Sequence, residues 1–475
     1  MHYIFIGNGI ISLSTAFRLL ENLSSSSKIT IIGAKERVGS ATLAAAAMLN
    51  SFCEVDEDTF SNKYNKLRFE MSIKATDLWP AFIKKYSQLK DIQKTKHPNP
   101  ILDGGLGTYL INNTSADSYD DENYNLIIKA LKKYDQPYQP VEPQDIPGYY
   151  PNQKDRTNHA IFIRNEGWIN PNSTINSLEQ YLGNDGRVDF VNENVKFLNQ
   201  RNNKLDHLTL VSGKKISGDK FLLASGSNVT DLLHDSKIDI TIPRIFYGVG
   251  VSVLISNPKE YLSNCIRTPN RGLACGIYAS PFMSRDSTNK VVAGATNLIS
   301  PRPIFKPRIV EVQSLLENVK NQINLKMYNS ELEKINIGWR PTSADTYPLI
   351  GPTSVEGLYI ASGTKRDGFH QAPLLSKILS SMLSGEKVDK KYKWFHPERN
   401  HIRTLTREQA IKKSVKHLMS ASYQHGFSPG LYTTENKLRN KYKDDLEKLH
   451  DDVGAINWGI PTDMLEMYRY NQIKY

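Results

Sequence analysis

Apolar and polar positions fall into blocks along this chain, and the period of the blocks changes from one stretch to the next. Tyr3-Ile4-Phe5-Ile6 and Ile29-Thr30-Ile31-Ile32 are short, continuous, largely β-branched runs, the pattern of strands buried on both faces. A helix-compatible stretch ending near Leu20 lies between them, so the N-terminus predicts a βαβ unit of about thirty residues. Phe221-Leu222-Leu223 predicts another buried strand, and 236–334 reads as antiparallel strands. Helical apolar spacing returns in Ala410–Leu418 and Leu438–Leu449. Polar and Pro-rich punctuation fills 86–149, where Gly104-Gly105-Leu106-Gly107 predicts a turn, because no helical pattern follows it. Ser24–Ser27 reads as a short loop, and no internal repeat is visible.

The first strand breaks into Gly7-Asn8-Gly9-Ile10-Ile11-Ser12. Gly7 permits a tight turn, and Gly9 lets backbone N–H groups approach a pyrophosphate at the positive end of the following helix. Ser12 replaces the third glycine, and glycines at such a junction also serve purely steric ends. The acid expected at the end of the second strand, where a ribose is held, is replaced by Gly33. Glu36 is the nearest carboxylate, either a ribose contact or a solvated loop residue. The small-residue run from Arg37 to Leu49 allows two readings, an Ala-rich helix or a stretch that packs closely on something flat.

A length of 475 residues predicts roughly three domain-sized units. The 39% hydrophobic and 23% charged content is ordinary for a globular protein. No apolar run reaches the roughly eighteen residues of a membrane span. The first strand begins at once, leaving no room for a signal peptide, so a cytoplasmic location is expected. Cys53, Cys265 and Cys275 are widely spaced with no CxxC, which argues against a metal cluster; Cys275 reads as a small buried hydrophobe near the substrate strand. The net charge of +11 comes from scattered lysines with no recognition module, so nucleic acid is not an expected partner. A positive field steering an anionic substrate and a merely solvated basic surface both remain open.

Several segments share a further feature. Residues 37–49 run Arg-Val-Gly-Ser-Ala-Thr-Leu, then four alanines before Met48-Leu49, with Ala47 where a glycine is usual. Glu166-Gly167-Trp168-Ile169-Asn170-Pro171 leads into a helix, and Phe221–Ser227 ends an apolar strand in Ala-Ser-Gly-Ser. Tyr278-Ala279-Ser280-Pro281 precedes Val291–Thr296, with Phe282 where Arg is usual. Gly338-Trp339-Arg340-Pro341, Pro348–Gly351, Gly357–Gly363 and Arg366–Pro373 complete the set. In order and spacing these resemble the D-amino-acid oxidase and glycine oxidase superfamily over about residues 1–395. The resemblance implies an α/β fold: a Rossmann-type FAD-binding domain (1–85, 150–235 and 335–395) interleaved with an α+β substrate domain on an antiparallel sheet (86–149 and 236–334). The helical extension 396–475 lies beyond it; packing on its own chain is the default, with a homo-oligomer contact or partner docking as alternatives.

That family implies oxidation of a carbon bearing an amine, with FAD as cofactor and an amino acid or related amine as substrate. Implied cofactor contacts are Gly7, Gly9, Ile10, Ile11, Ser12, Arg37, Ser40, Thr42, Ala47, Met48, Val195, Ala224, Gly226, Gly363, Arg366, Asp367, Gly368, Phe369, His370 and Gln371. Arg340 is the implied carboxylate receptor, Tyr278 either a second donor to it or packing, Arg366 a substrate neighbour, and His370 a side-chain donor or a structural hydrogen-bonder. Specificity is expected from Ile242–Ser256 and Arg267–Met283. A dehydrogenase passing electrons to a quinone or protein partner and a non-catalytic relative are the alternatives.

Overall fold

The chain crosses repeatedly between two sheets of different character. The computed structural model describes residues 1–87, 104–113, 115, 118–256, 262–273, 276–282 and 290–473; Cys275 and Met283 lie outside them. The first sheet has six strands in the spatial order Leu349–Pro352, Leu358–Ser362, Lys220–Leu223, His2–Ile6, Lys28–Ile32 and Val188–Val191. All neighbours run parallel except the outermost pair, Leu349–Pro352 against Leu358–Ser362.

The N-terminal run takes the middle of this sheet because a core waits on each face. Tyr3 and Phe5 join one cluster with the helices Ile10–Leu20, Pro171–Gly183 and Ala372–Ser384. Ile4 and Ile6 join another, with Leu198, Leu205, Leu208 and Leu210 of a three-strand antiparallel meander. The helix Lys63–Tyr86 begins at Asn62, whose side chain accepts from the N–H groups of Tyr64 and Asn65, and it lays Trp79, Phe82 and Tyr86 into the first cluster.

The second sheet has ten strands, mostly antiparallel. Its backbone is the long pair Ile245–Ser256 with Glu331–Ser343, which places Arg340 opposite Gly248. The helix Ile309–Gln322 covers one face, packing Leu315 and Val319 on Val251, Val253 and Ile266.

Two expectations need correction, and one pair of alternatives is resolved. Gly104–Gly107 is not a turn but the start of the strand Gly104–Asn112. A Cβ at Gly105 would enter the Trp168 ring of the neighbouring strand, so the glycine there serves a crossing aromatic. The strands His159–Ile169 and Glu331–Ser343 pair within the ten-stranded sheet, which takes them out of the nucleotide-binding pieces 150–235 and 335–395. In the alanine run only Ala41–Ala44 is helical; Ala45 is extended and Ala47 has φ of 48°, so the helix cannot continue.

The C-terminal extension folds onto its own chain. Helices Arg407–Gln424 and Tyr432–Asp452 pack on each other, the first opened by a reciprocal cap between Thr406 and Gln409. Ile411, Leu446, Leu449, Met464 and Leu465 close over Phe246, Ile299 and Ala344 of the main body. Leu446→Ala should therefore cost about 2–4 kcal/mol and lower the midpoint of the main thermal transition in calorimetry. An unchanged midpoint would mean that the extension melts apart from the rest.

Candidate active site

Between the sheets lies a cavity of about 960 Å3, floored by the end of the first strand and walled by the small-residue run, at the upper end of the range for ligand sites. Gly7 makes the floor possible: its φ is 110°, and a Cβ would stand 2.6 Å from the Ala224 carbonyl oxygen. The helix Ile10–Leu20 starts at the cavity. Ile10 donates to Thr42 Oγ1 at 3.3 Å, while the N–H groups of Gly9 and Ile11 find no acceptor among the described residues. This is an anion-ready helix terminus. Gly33 is explained by its neighbour, since a Cβ there would lie 2.5 Å from the Asn8 side chain, which donates to the Ala34 carbonyl. Glu36 borders the cavity and is exposed.

The wall follows from close backbone approach. Trp339 N–H donates to the Gly39 carbonyl at 2.9 Å with the indole lying across Gly39, and Ser252 donates to the Ala44 carbonyl at 2.8 Å. Only small residues fit between such surfaces. Met48 and Ala46 pack with buried Tyr278, and Phe282 joins that cluster.

On the opposite side the segment 363–371 turns into the helix Ala372–Ser384. The N–H groups of Gly368, Phe369 and His370 border the cavity and have no acceptor among the described residues. Phe369 is stacked on Trp79 with centroids 5.4 Å apart.

Of the expected cofactor contacts, Gly7, Gly9, Ile10, Ile11, Arg37, Ser40, Thr42, Ala47, Met48, Val195, Ala224, Gly226, Arg366, Asp367, Gly368, Phe369 and His370 line this one cavity, as do Arg340 and Tyr278. Ser12, Gly363 and Gln371 are buried behind it. Arg37 is tied to Glu179 and to the Asn8 carbonyl.

His370 departs from a donor role. Its Nδ1 lies 3.3 Å from Ser72 Oγ and its Nε2 2.7 Å from Thr76 Oγ1, so both ring nitrogens are engaged by the helix Lys63–Tyr86. Burial pushes its pKa down to about 4 against the weaker pull of Asp367 and Glu54, and the ring is neutral. It anchors the turn.

Arg340 is held differently. Its guanidinium lies over Gly250, where a Cβ would collide with it, and donates to Asn297 Oδ1 at 3.1 Å and the Thr296 carbonyl at 2.8 Å. Among the described residues no carboxylate pairs with it. Two of its five N–H groups are thus used by neutral acceptors, and no described residue neutralises its charge.

A second, polar cavity of about 210 Å3 adjoins the first and shares Glu54, Lys365, Arg366 and Asp367 with it. Glu54 is the hub that sequence reading missed. It accepts from Arg267 at 2.6 Å and Asn270 at 3.1 Å, and lies 3.6 Å from Arg366. Burial raises its pKa, but Arg267 and then Arg366 overcome this and hold it at about 2. Asp367 pairs with Arg68 at 3.0 Å, and Lys365 pairs at 2.6 Å with Asp463 of the extension.

The model of the family described as FAD dependent oxidoreductase matches residues 2–382. The chain belongs to that family. The chain is 23% identical over 260 residues to a D-amino acid dehydrogenase of Helicobacter pylori strain J99, covering 54% of this chain and 59% of the relative. It spans about half the length of the curated relatives it matches. Iminodiacetate oxidase from Chelativorans sp. BNC1 shares its fold with a TM-score of 0.68 at 16% identity, covering 84% of this chain and 100% of that one. Glycine oxidase from Geobacillus kaustophilus does so with a TM-score of 0.68 at 17% identity, covering 84% and 98%. Among the described residues of this family member no helix is long and apolar enough to cross a membrane.

The state of His370 has a consequence for stability. Its folded pKa lies below the ordinary 6.5, so the unfolded chain takes up the proton first, and stability falls as pH drops from about 6.5 to about 4. His370→Gln should remove up to about 1.4 kcal/mol per pH unit of that slope. Urea unfolding measured at intervals from pH 4.5 to 7 reads the slope directly; an unaltered slope would mean that His370 titrates normally.

Proposed function

We propose that this protein oxidises the C–N bond of an amino acid or related amine, with Arg340 receiving the substrate carboxylate. The guanidinium of Arg340 at the cavity wall, which no described residue neutralises, carries the reading. Its planar fork suits two parallel bonds to a carboxylate. Asn297 and Thr296 preset its orientation, so less freedom is lost when the ligand arrives. Tyr278 borders the same cavity and would donate to the same carboxylate.

The residues present fit FAD. Gly7, Gly9, Ile10 and Ile11 would hold the diphosphate, and Ala47, Met48, Gly368 and Phe369 the ring system. Bound FAD supplies a two-electron acceptor for the hydride leaving the amine-bearing carbon, after which water hydrolyses the resulting imine to an oxo compound and the free amine. The unsatisfied N–H groups of Gly368, Phe369 and His370, just ahead of the helix Ala372–Ser384, would favour negative charge placed against them. Phe369 of that turn is buried and stacked on Trp79, which fixes the backbone that carries them.

Arg340→Ala should retain the yellow cofactor and yet bind carboxylate ligands about a hundredfold or more weakly, the usual loss on removing one partner of a charged pair. Anaerobic bleaching of the visible spectrum against a panel of amino acids and amines reads both quantities. Normal bleaching by carboxylate substrates in this variant would remove Arg340 from the role.

A further inference from the structure

Lys365 and Arg366 stand where the two cavities meet, and Arg340 lines the larger of the two. Arg366 faces Glu54 at 3.6 Å and Lys365 faces Asp463 at 2.6 Å, whereas Arg340 faces only neutral acceptors among the described residues. Lys365 is close to Arg340 through the backbone, its N–H donating to the carbonyl of Pro341 at 2.8 Å. A bridge of side chains runs the same way. Asn297 accepts from Arg340 at 3.1 Å and presents its amide N–H2 to Asp463 at 3.4 Å and to the Leu273 carbonyl at 2.9 Å. Two acceptor-only partners fix which way that amide points.

Asp463 comes from the C-terminal extension, outside the stretch 2–382 that the family model matches. It sits in the short turn Thr462–Met464, anchored by Met464 in the extension's core and by a 2.9 Å contact between Thr462 and Ser414 hydroxyls. We propose that Asp463 is a specificity-determining residue: by neutralising Lys365 beside Arg340 it leaves a single anion receptor, so the site takes a substrate with one carboxylate and rejects one with two. This rests on the reading of Arg340 given above. Burial raises the Asp463 pKa, but Lys365, Arg366 and Lys413 hold it below the usual carboxylate range, so the counter-charge is present at neutral pH. A second carboxylate entering the junction meets an occupied ammonium and the anion that occupies it. Its desolvation would go uncompensated.

The test uses the FAD-loaded full chain and two probes, acetate and malonate, titrated by calorimetry and by perturbation of the flavin spectrum. In the unaltered chain malonate should bind no more tightly than acetate. A preference for malonate above about tenfold there would overturn the proposal, whatever the variants do. In Asp463→Asn, malonate affinity should rise about tenfold or more while acetate changes less than about threefold, because Lys365 becomes a second receptor. Adding Lys365→Met to that variant should abolish the gain, and Asp463→Glu should keep the unaltered ratio. An unchanged ratio in a loaded, folded Asp463→Asn variant overturns the assignment of Asp463 alone, provided Arg340→Ala weakens acetate. If Arg340→Ala binds acetate as the unaltered chain does, the carboxylate reading of Arg340 falls, and this inference with it.

Discussion

Backbone lies directly on backbone where residues 39–48 meet the strand Glu331–Ser343, and that contact joins the two sheets. The Trp339 N–H reaches the Gly39 carbonyl while its indole covers Gly39 itself. A Cβ at Gly39 would stand 2.2 Å from the indole and one at Gly338 2.7 Å from the Ala44 methyl, so a side chain at either glycine would prise the surfaces apart. Because they touch, the end of the first strand, the alanine wall and Arg340 border one cavity instead of two separate surfaces. The composition of 39–48 is thus a packing requirement, and helix propensity has little say in it; Ala45 and Ala47 are not helical although alanine is the best helix former.

A second constraint is electrostatic. Charges crowd the junction of the cavities, where poor solvation makes an unpaired ion costly. The arrangement is consistent with that cost: Glu54, Asp367 and Asp463 each answer a neighbouring cation. Against this background a guanidinium with no counter-charge among the described residues is conspicuous. It is tolerated because carbonyl and amide oxygens solvate it and because it borders an open cavity.

How much of this is legible in the sequence depends on the range of the cause. The strands 3–6 and 29–32 declare themselves because burial on both faces demands a continuous apolar run, and the Gly7 turn because its conformation is local. Gly104–Gly107 misleads, since the ring that requires Gly105 belongs to Trp168 on another strand. The strand Glu331–Ser343 misleads for a related reason: its C-terminal half carries the family motif, while its pairing is set by Ile245–Ser256. Glu54 and Asp463 carry no local signal at all. Their partners, Arg366 and Lys365, are distant in sequence, and nothing in the periodicity of either neighbourhood shows that the fold will bring them together. His370 sits in a recognisable segment, yet its ring is claimed by Ser72 and Thr76 from a helix whose docking no short motif encodes.

The central place of His2–Ile6 in the six-stranded sheet also bears on how the polypeptide is made. Its neighbours are Lys28–Ile32 on one edge and Lys220–Leu223 on the other, and the sheet continues to Leu358–Ser362. During synthesis the first strand leaves the ribosome long before its second partner does, and the sheet cannot close until three quarters of the chain has emerged. For that interval an apolar, unpaired edge is exposed, the circumstance in which nascent proteins lean on chaperones.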